Sequence, residues 1–243
     1  MSMQRVDRIA SVITVIDTPG ETDEFSGVSR SKNEARKFYD AISSWYDLLA
    51  YSSEKKYVNE FIDDLSVRDG MNVLEIGFGT GHAVESLIRS VGERGRVVGI
   101  DISPKMRSAA EKLLGEKGLS DRAELVVGDA ASLPFQEDEF DLVFLSFTLE
   151  LFDTPEIPEV LGEIKRVTRV GGELGILGLS SARKRKMDLL YDRAHRCFPK
   201  YLDCRPIPIS RLVEEAGFHN VSRSIGSMWG LTIETVKAQL SKK

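Results

Sequence analysis

Between Asn72 and Leu179 the chain alternates short apolar runs with stretches whose apolar residues recur every three or four positions. The runs Asn72–Ile76, Arg96–Asp101, 124–127, Phe140–Ser146 and 173–179 have the length of buried strands, whereas 83–91 and 104–115 carry the helical period. Ser103 followed by Pro104 marks one helix start: the hydroxyl can accept an early helical N–H, and proline at the first position gives up a donor that has no partner there. Thr154-Pro155 predicts the start of another helix, with Val160, Leu161, Ile164 and Val167 turned inward. Strand–helix alternation of this kind predicts a parallel sheet with helices on both faces.

Two flanking regions read differently. Phe38, Ile42, Trp45 and Leu49, then Tyr57, Phe61, Ile62 and Leu65, are spaced as the apolar stripes of two helices that end at a turn at Asp69-Gly70. They predict a helical cover over 33–66, preceded by an extension, 1–32, that contains the acidic, polar segment ETDEFSG. Beyond the 173–179 strand come a helical segment, 181–201, the stretch Arg205-Pro206-Ile207-Pro208, and a short helix from Ser210 that Gly217 stops. Two β-like runs, 220–225 and 229–237, are expected to meet at a turn containing Gly226 and Ser227 and to close the sheet, one of them antiparallel. The expected fold class is therefore α/β: a mostly parallel, seven-stranded sheet with an antiparallel C-terminal edge strand. One domain spans 33–243, with 33–66 as lid, 71–180 as ligand-binding core and 181–243 as substrate-side helices and closing strands.

Composition narrows the function. The chain has 243 residues, 42% apolar, 29% charged and 8% aromatic, which is ordinary for a globular protein. No apolar run is long enough to span a bilayer, and IASVITVI at 9–16 is short, follows Asp7 and lacks a small-residue cleavage site, so a cytoplasmic protein is expected. A formal charge of −5, from 33 basic and 38 acidic side chains, leaves no excess to neutralise phosphates, so no nucleic-acid partner is expected. Cys197 and Cys204 have neither redox nor zinc spacing; reduced thiols and no metal are expected. Arg183-Lys184-Arg185-Lys186 reads as a solvated helix face or as a weak contact with an anionic membrane surface or substrate.

The chemistry-bearing motif follows the first strand, where Val73–Ile76 runs directly into Gly77-Phe78-Gly79-Thr80-Gly81 and a helix begins. Glycines let the backbone turn sharply and let a ligand reach the main chain, and the helix N-terminus offers unpaired N–H groups. Asp101 ends the next strand, where a carboxylate can accept bonds from both hydroxyls of a ribose. A dinucleotide or another adenosine ligand satisfies that much. Three details favour the second. A dinucleotide fingerprint has its third glycine at position 82, which is His82 here. Glu75, two positions before Gly77, would repel a pyrophosphate but hold an ammonium. The following strand ends in Gly128-Asp129-Ala130, which brings a second carboxylate to the same crevice.

In order, VLEIGFGTG, VVGIDIS, VVGDAASLPF, FDLVFLSF and RVTRVGGELGIL resemble the motifs of class I S-adenosylmethionine-dependent methyltransferases. RVTRVGGELGILGLS and the FYD…WYDLLA opening are most similar to the ubiquinone/menaquinone-biosynthesis C-methyltransferase family (methyltransferase type 11); Thr168 and Gly178 stand where that signature has an aliphatic residue and a glutamate. The resemblance implies a Rossmann-like three-layer sandwich, S-adenosyl-L-methionine as cofactor and a small-molecule methyl acceptor, such as a quinol or related ring. It assigns Glu75 and Gly77, Phe78, Gly79, Thr80 and Gly81 to the methionine part, Asp101 to the ribose, and Ile102 with Met106 to the adenine face. Gly128, Asp129 and Ala130 fall to the adenine edge, and Ser146, Phe147 and Tyr46 to the sulfonium side. Ile102, Phe147 and Tyr46 equally suit core packing, and Asp101 and Asp129 a cap or turn. If a carbon is methylated a base is needed, and Glu150, Tyr39, His195 and His82 are candidates without a visible partner in the sequence. A cofactor-binding regulator without turnover, or a nicotinamide oxidoreductase, are the competing functions.

Overall fold

The computed structural model describes residues 37, 52–182 and 205–241. The expectations for residues 1–32, Tyr39, Tyr46, the 183–186 basic run, His195, Cys197 and Cys204 fall outside them. Among the described residues seven strands form one sheet: β1 (Asn72–Ile76), β2 (Arg96–Asp101), β3 (Ala123–Val127), β4 (Phe140–Ser146), β5 (Thr168–Leu179), β6 (His219–Met228) and β7 (Leu231–Gln239). Their order is β3-β2-β1-β4-β5-β7-β6. The first five are parallel, and β7 runs antiparallel to both β5 and β6. Chain order reverses between β1 and β4, so a crevice opens beyond the carboxyl ends of those two strands.

Among the described residues five α-helices cover the sheet: α1 (Ser52–Asp64), α2 (His82–Val91), α3 (Pro104–Glu116), α4 (Ile157–Val167) and α5 (Ile209–Glu215). Alternate strand residues face opposite layers. Val73, Leu142 and Phe144 pack with Phe61, Ile62 and Leu65 of α1 and Val84 and Leu87 of α2. Leu74, Val143 and Leu145 pack with Val160, Leu161 and Ile164 of α4 and Val213 of α5. With both faces covered, the central strands read as near-continuous apolar runs. The architecture is the expected Rossmann-like three-layer sandwich.

Three boundaries differ from the sequence expectation. Helix α4 begins at Ile157, not after Thr154-Pro155, because Asp153 organises a preceding turn. Its carbonyl accepts the N–H groups of Glu156 (2.9 Å) and Ile157 (3.2 Å), and its carboxylate accepts that of Thr154 (2.9 Å). Strand β5 starts at Thr168, which pairs with Phe140 ahead of a bulge that resumes at Leu142 opposite Glu173. The Thr168 hydroxyl also donates to the Ile164 carbonyl at 2.6 Å, closing the end of α4. The third concerns the closing hairpin. Its turn is Trp229-Gly230, with φ of 52° and 83°, whereas Gly226 and Ser227 lie within β6 opposite Ile233 and Thr232. A two-residue hairpin requires φ > 0 at both central positions, and here a tryptophan that is 57% exposed takes one of them.

Candidate functional site

Strand β1 delivers the chain into the crevice at Gly77, whose N–H donates to the Ile100 carbonyl of β2 at 2.7 Å. The glycines do different jobs. A side chain at Gly77 (φ 74°) would collide with Thr148, in the loop after β4, and a Cβ at Gly81 (φ 89°) would lie 2.7 Å from that of Ala110 on α3. Gly79 (φ 52°) has open space where a Cβ would stand, so its main chain faces the crevice. Phe78 is 3% exposed and packs over Gly99 of β2.

Asp101 ties this turn to the tip of β2. Its Oδ2 accepts the Gly79 N–H and its Oδ1 the Ser103 N–H, both at 2.9 Å. These bonds fix the carboxylate at the strand end, beside the glycine turn. Ser103 caps α3 as expected, its Oγ accepting the N–H of the buried Met106 at 3.1 Å, and Ile102 is half-buried beside it. The Gly128 N–H donates to the Asp101 carbonyl at 2.9 Å, which sets 128–130 alongside. Asp129 Oδ1 accepts the Ala131 N–H at 3.0 Å, so this residue shapes a turn, and Ala130 is buried in the core.

The cleft between the glycine turn and α1 is lined by Glu75, Gly77, Gly79, Thr80, Ser146 and Glu54, among others. Glu75 is 1% exposed, and its Oε2 has no hydrogen-bond partner. Burial, reinforced by the charge of Asp101, raises its carboxyl well above the usual carboxylate range. Ser146 ends β4, and the next residue, Phe147, is buried at φ 49°, with its N–H donating to the Leu177 carbonyl at 2.7 Å. A bulky residue in the left-handed region is costly, and here it stands at the crevice edge.

Two of the four base candidates, His82 and Glu150, are described. His82 opens α2 and lines the cleft. Glu150 lies in a single 3-10 turn, Leu149–Leu151, directly after β4. It is fully buried; Oε1 accepts the Leu179 N–H at 2.9 Å and Oε2 has no partner. Its carboxylate packs where a side chain at Gly178 would stand, 2.6 Å from that Cβ position, which is why glycine occurs there. Burial pushes Glu150 up to about 7 against the main-chain N–H groups that lower it, with a further increment from Glu54, and burial likewise pushes Glu54 to about 7. Glu54 is absent from the sequence-derived site, since its only signature is a polar position between the apolar residues of α1. Arg205 also went unanticipated. It is 3% exposed and fixes the loop that follows Glu150, donating to Thr154 Oγ1 at 2.7 Å and to the Phe152 carbonyl at 2.9 Å.

Comparison with known proteins agrees with this geometry. Residues 73–172 match the family model for a methyltransferase domain. The ubiquinone/menaquinone biosynthesis C-methyltransferase of Hahella chejuensis is 31% identical over 169 residues, 68% of this chain and 67% of that protein. The demethylmenaquinone methyltransferase of Lactobacillus johnsonii is 28% identical over 174 residues, 70% of each. Among solved structures, an S-adenosylmethionine-dependent methyltransferase from Aquifex aeolicus superposes with TM-score 0.56 at 21% identity, over 87% of this chain and all of that one. The 4+2 cyclase SpnF superposes with TM-score 0.70 at 15% identity, over 88% and 98%. The cyclase shows that this fold also serves other reactions, so the reaction class rests on the sequence relatives. The chain belongs to the class I S-adenosylmethionine-dependent methyltransferases and is an enzyme of that family.

Proposed function

We propose that this methyltransferase methylates a ring carbon of a quinol or a related hydroxylated aromatic. The observation that carries the reading is the 31% identity, over two thirds of its length, to a ubiquinone/menaquinone C-methyltransferase. The crevice fits the cofactor: an orphaned, buried Glu75 Oε2 suits an ammonium, the open main chain at Gly79 admits a ligand, and the carboxylate of Asp101, held beside that turn, suits a ribose. When bound, S-adenosylmethionine supplies a methyl group activated on a sulfonium.

In this reading Glu75 and the turn of Gly77, Gly79, Thr80 and Gly81 hold the amino-acid part and Asp101 the ribose. Ile102 and Met106 flank the base, and Gly128, Asp129 and Ala130 meet its edge. Ser146 and Phe147 bound the side on which the acceptor enters. Phe78 acts indirectly, by packing the turn onto β2. Methyl transfer is an in-line displacement, so these residues contribute alignment and exclusion of water, worth up to about 10 kcal/mol in favourable cases. No helix among the described residues is long and apolar enough to cross a membrane.

The test is incubation with S-adenosylmethionine and demethylmenaquinone reduced to its quinol, followed by mass spectrometry. The expected product carries one additional methyl group and forms in step with S-adenosylhomocysteine. Tight cofactor binding with no methylation of this or other hydroxylated aromatic rings would refute the ring-methylation reading.

A further inference from the structure

We propose that Trp229, at the tip of the β6–β7 hairpin, is an interfacial anchor that seats the mouth of the cleft on the surface of a lipid bilayer. This rests on the function proposed above and names the surface from which a lipid-tailed acceptor reaches the site. Strand register places the tip. Ile233 of β7 lies opposite Leu179, the last residue of β5, and the Ser180 N–H donates to the Thr232 carbonyl at 3.0 Å. Leu231, Gly230 and Trp229 therefore project past the carboxyl end of β5, the end at which the cleft opens. Helix α1 joins the tip to the cleft. The Tyr57 hydroxyl donates to the Ser227 carbonyl at 2.7 Å, while Glu54, Lys55, Val58 and Asn59 of the same helix line the cleft.

Two unfavourable features coincide in this residue. Its φ of 52° lies in the left-handed region, which is costly for a bulky side chain. It is also the most exposed large apolar side chain among the described residues, although its neighbours Met228 and Leu231 are buried in the cluster that holds Val58 and Phe61 of α1. Asn-Gly satisfies a hairpin turn of this kind at less cost and exposes no ring, so neither folding nor packing accounts for the tryptophan. Size decides the occupant. One indole is far smaller than the roughly 800 Å² per partner that a stable protein interface buries. At a water–hydrocarbon boundary, by contrast, a lone tryptophan suffices: its ring enters the apolar layer and its N–H stays with polar groups. Lys55 and Lys56, exposed on α1 directly before Tyr57, suit anionic headgroups, and the pairing of Lys56 with Glu60 at 3.8 Å is open to solvent. A chain with a formal charge of −5 has no general attraction to an anionic surface, so the indole carries the contact.

The test uses the full-length chain and mixed phosphatidylcholine–phosphatidylglycerol vesicles. Trp229→Asn, which gives the turn the pair it favours, keeps or raises the melting temperature and lowers vesicle affinity about tenfold or more in co-sedimentation. In Trp45→Phe, where Trp229 is the one remaining tryptophan, vesicles shift the emission to the blue and shield it from acrylamide. With reduced demethylmenaquinone carried in the vesicles, Trp229→Asn raises KM about tenfold and leaves kcat within about twofold; with the same ring lacking its tail, in solution, both stay within about twofold. The proposal is overturned if the parent chain does not bind vesicles, if Trp229→Asn binds them as well as the parent, or if sedimentation equilibrium shows a dimer that the substitution dissociates. If the parent chain methylates neither ring, the ring-methylation reading falls by itself, and vesicle binding still decides on the anchor. Should Trp229→Asn fail to fold, the emission of Trp45→Phe decides: an unshifted, fully quenched signal overturns the proposal.

Discussion

The two ends of the sheet treat acidic side chains in opposite ways. Near the amino ends of the strands, Arg96 bridges Glu124 (2.7 Å) and Glu139 (2.8 Å), Arg169 meets Asp141 (2.6 Å), and Arg94 meets Asp69 (2.6 Å). Hydrogen bonding from Arg94 lowers the carboxyl of Asp69, and Arg166 does the same for Glu163. At the carboxyl ends Glu54 and Glu75 line the cleft and Glu150 is buried against β5, and burial drives each upward. Exposed pairs such as those at the first end contribute about 0–1 kcal/mol each, whereas buried carboxyls without a cation detract from stability. Unpaired buried carboxyls of this kind are what a ligand-binding site presents, and the reading proposed above gives Glu75 that role.

That contrast can be broken from either end. The largest effect is expected from Glu75→Gln: calorimetry should show S-adenosylmethionine affinity falling about thirtyfold, or roughly 2 kcal/mol, with the melting temperature of the ligand-free protein not lowered. Unchanged affinity would mean that the orphaned oxygen is not held for the ligand. Asp101→Ala follows, with an expected loss of about tenfold, since two main-chain bonds vanish with the ribose contact.

A smaller effect is read from pH. Glu54 and Glu150 titrate near 7 in the folded chain against an ordinary 4.5, so the folded state binds more protons between those values. Their contribution to stability is full below about 4.5 and is lost as pH rises through 7. Melting temperature should therefore fall by several degrees between pH 5 and pH 8, and the double substitution Glu54→Gln, Glu150→Gln should flatten that slope. The smallest effect belongs to the opposite end. Arg96→Ala should cost about 0.5–1 kcal/mol at low salt, less at high salt, with cofactor affinity unchanged; a loss of affinity there would erase the distinction between the two ends.

Most strands of this fold are legible because their runs are buried on both faces and bounded by glycine, proline or a capping serine. The closing hairpin is harder. Turn chemistry selects Gly226-Ser227, yet the antiparallel register of β6 on β7, from His219 opposite Gln239 to Met228 opposite Leu231, carries the reversal to Trp229-Gly230. Register along β7 outweighs the backbone preference of one tryptophan. Helix α4 shows a similar displacement, because Asp153 closes a turn of its own before the helix begins.

For the site, the glycine turn, Asp101 and the sequence Gly128-Asp129-Ala130 declare themselves through spacing, since a parallel sheet brings successive strand ends to one edge. Even there the separate tasks of the three glycines emerge only from their neighbours, Thr148 for Gly77, Ala110 for Gly81 and open space for Gly79. Glu54 carries no sequence signature of its own, and Glu150 is legible only as one of four candidate bases. They lie 96 positions apart, and their shared character comes from removal from water. Periodicity and motif order, which are local, determined the family, the sheet and the cofactor. Burial is a property of the whole packed chain, so only the tertiary structure decided which carboxyls keep their protons.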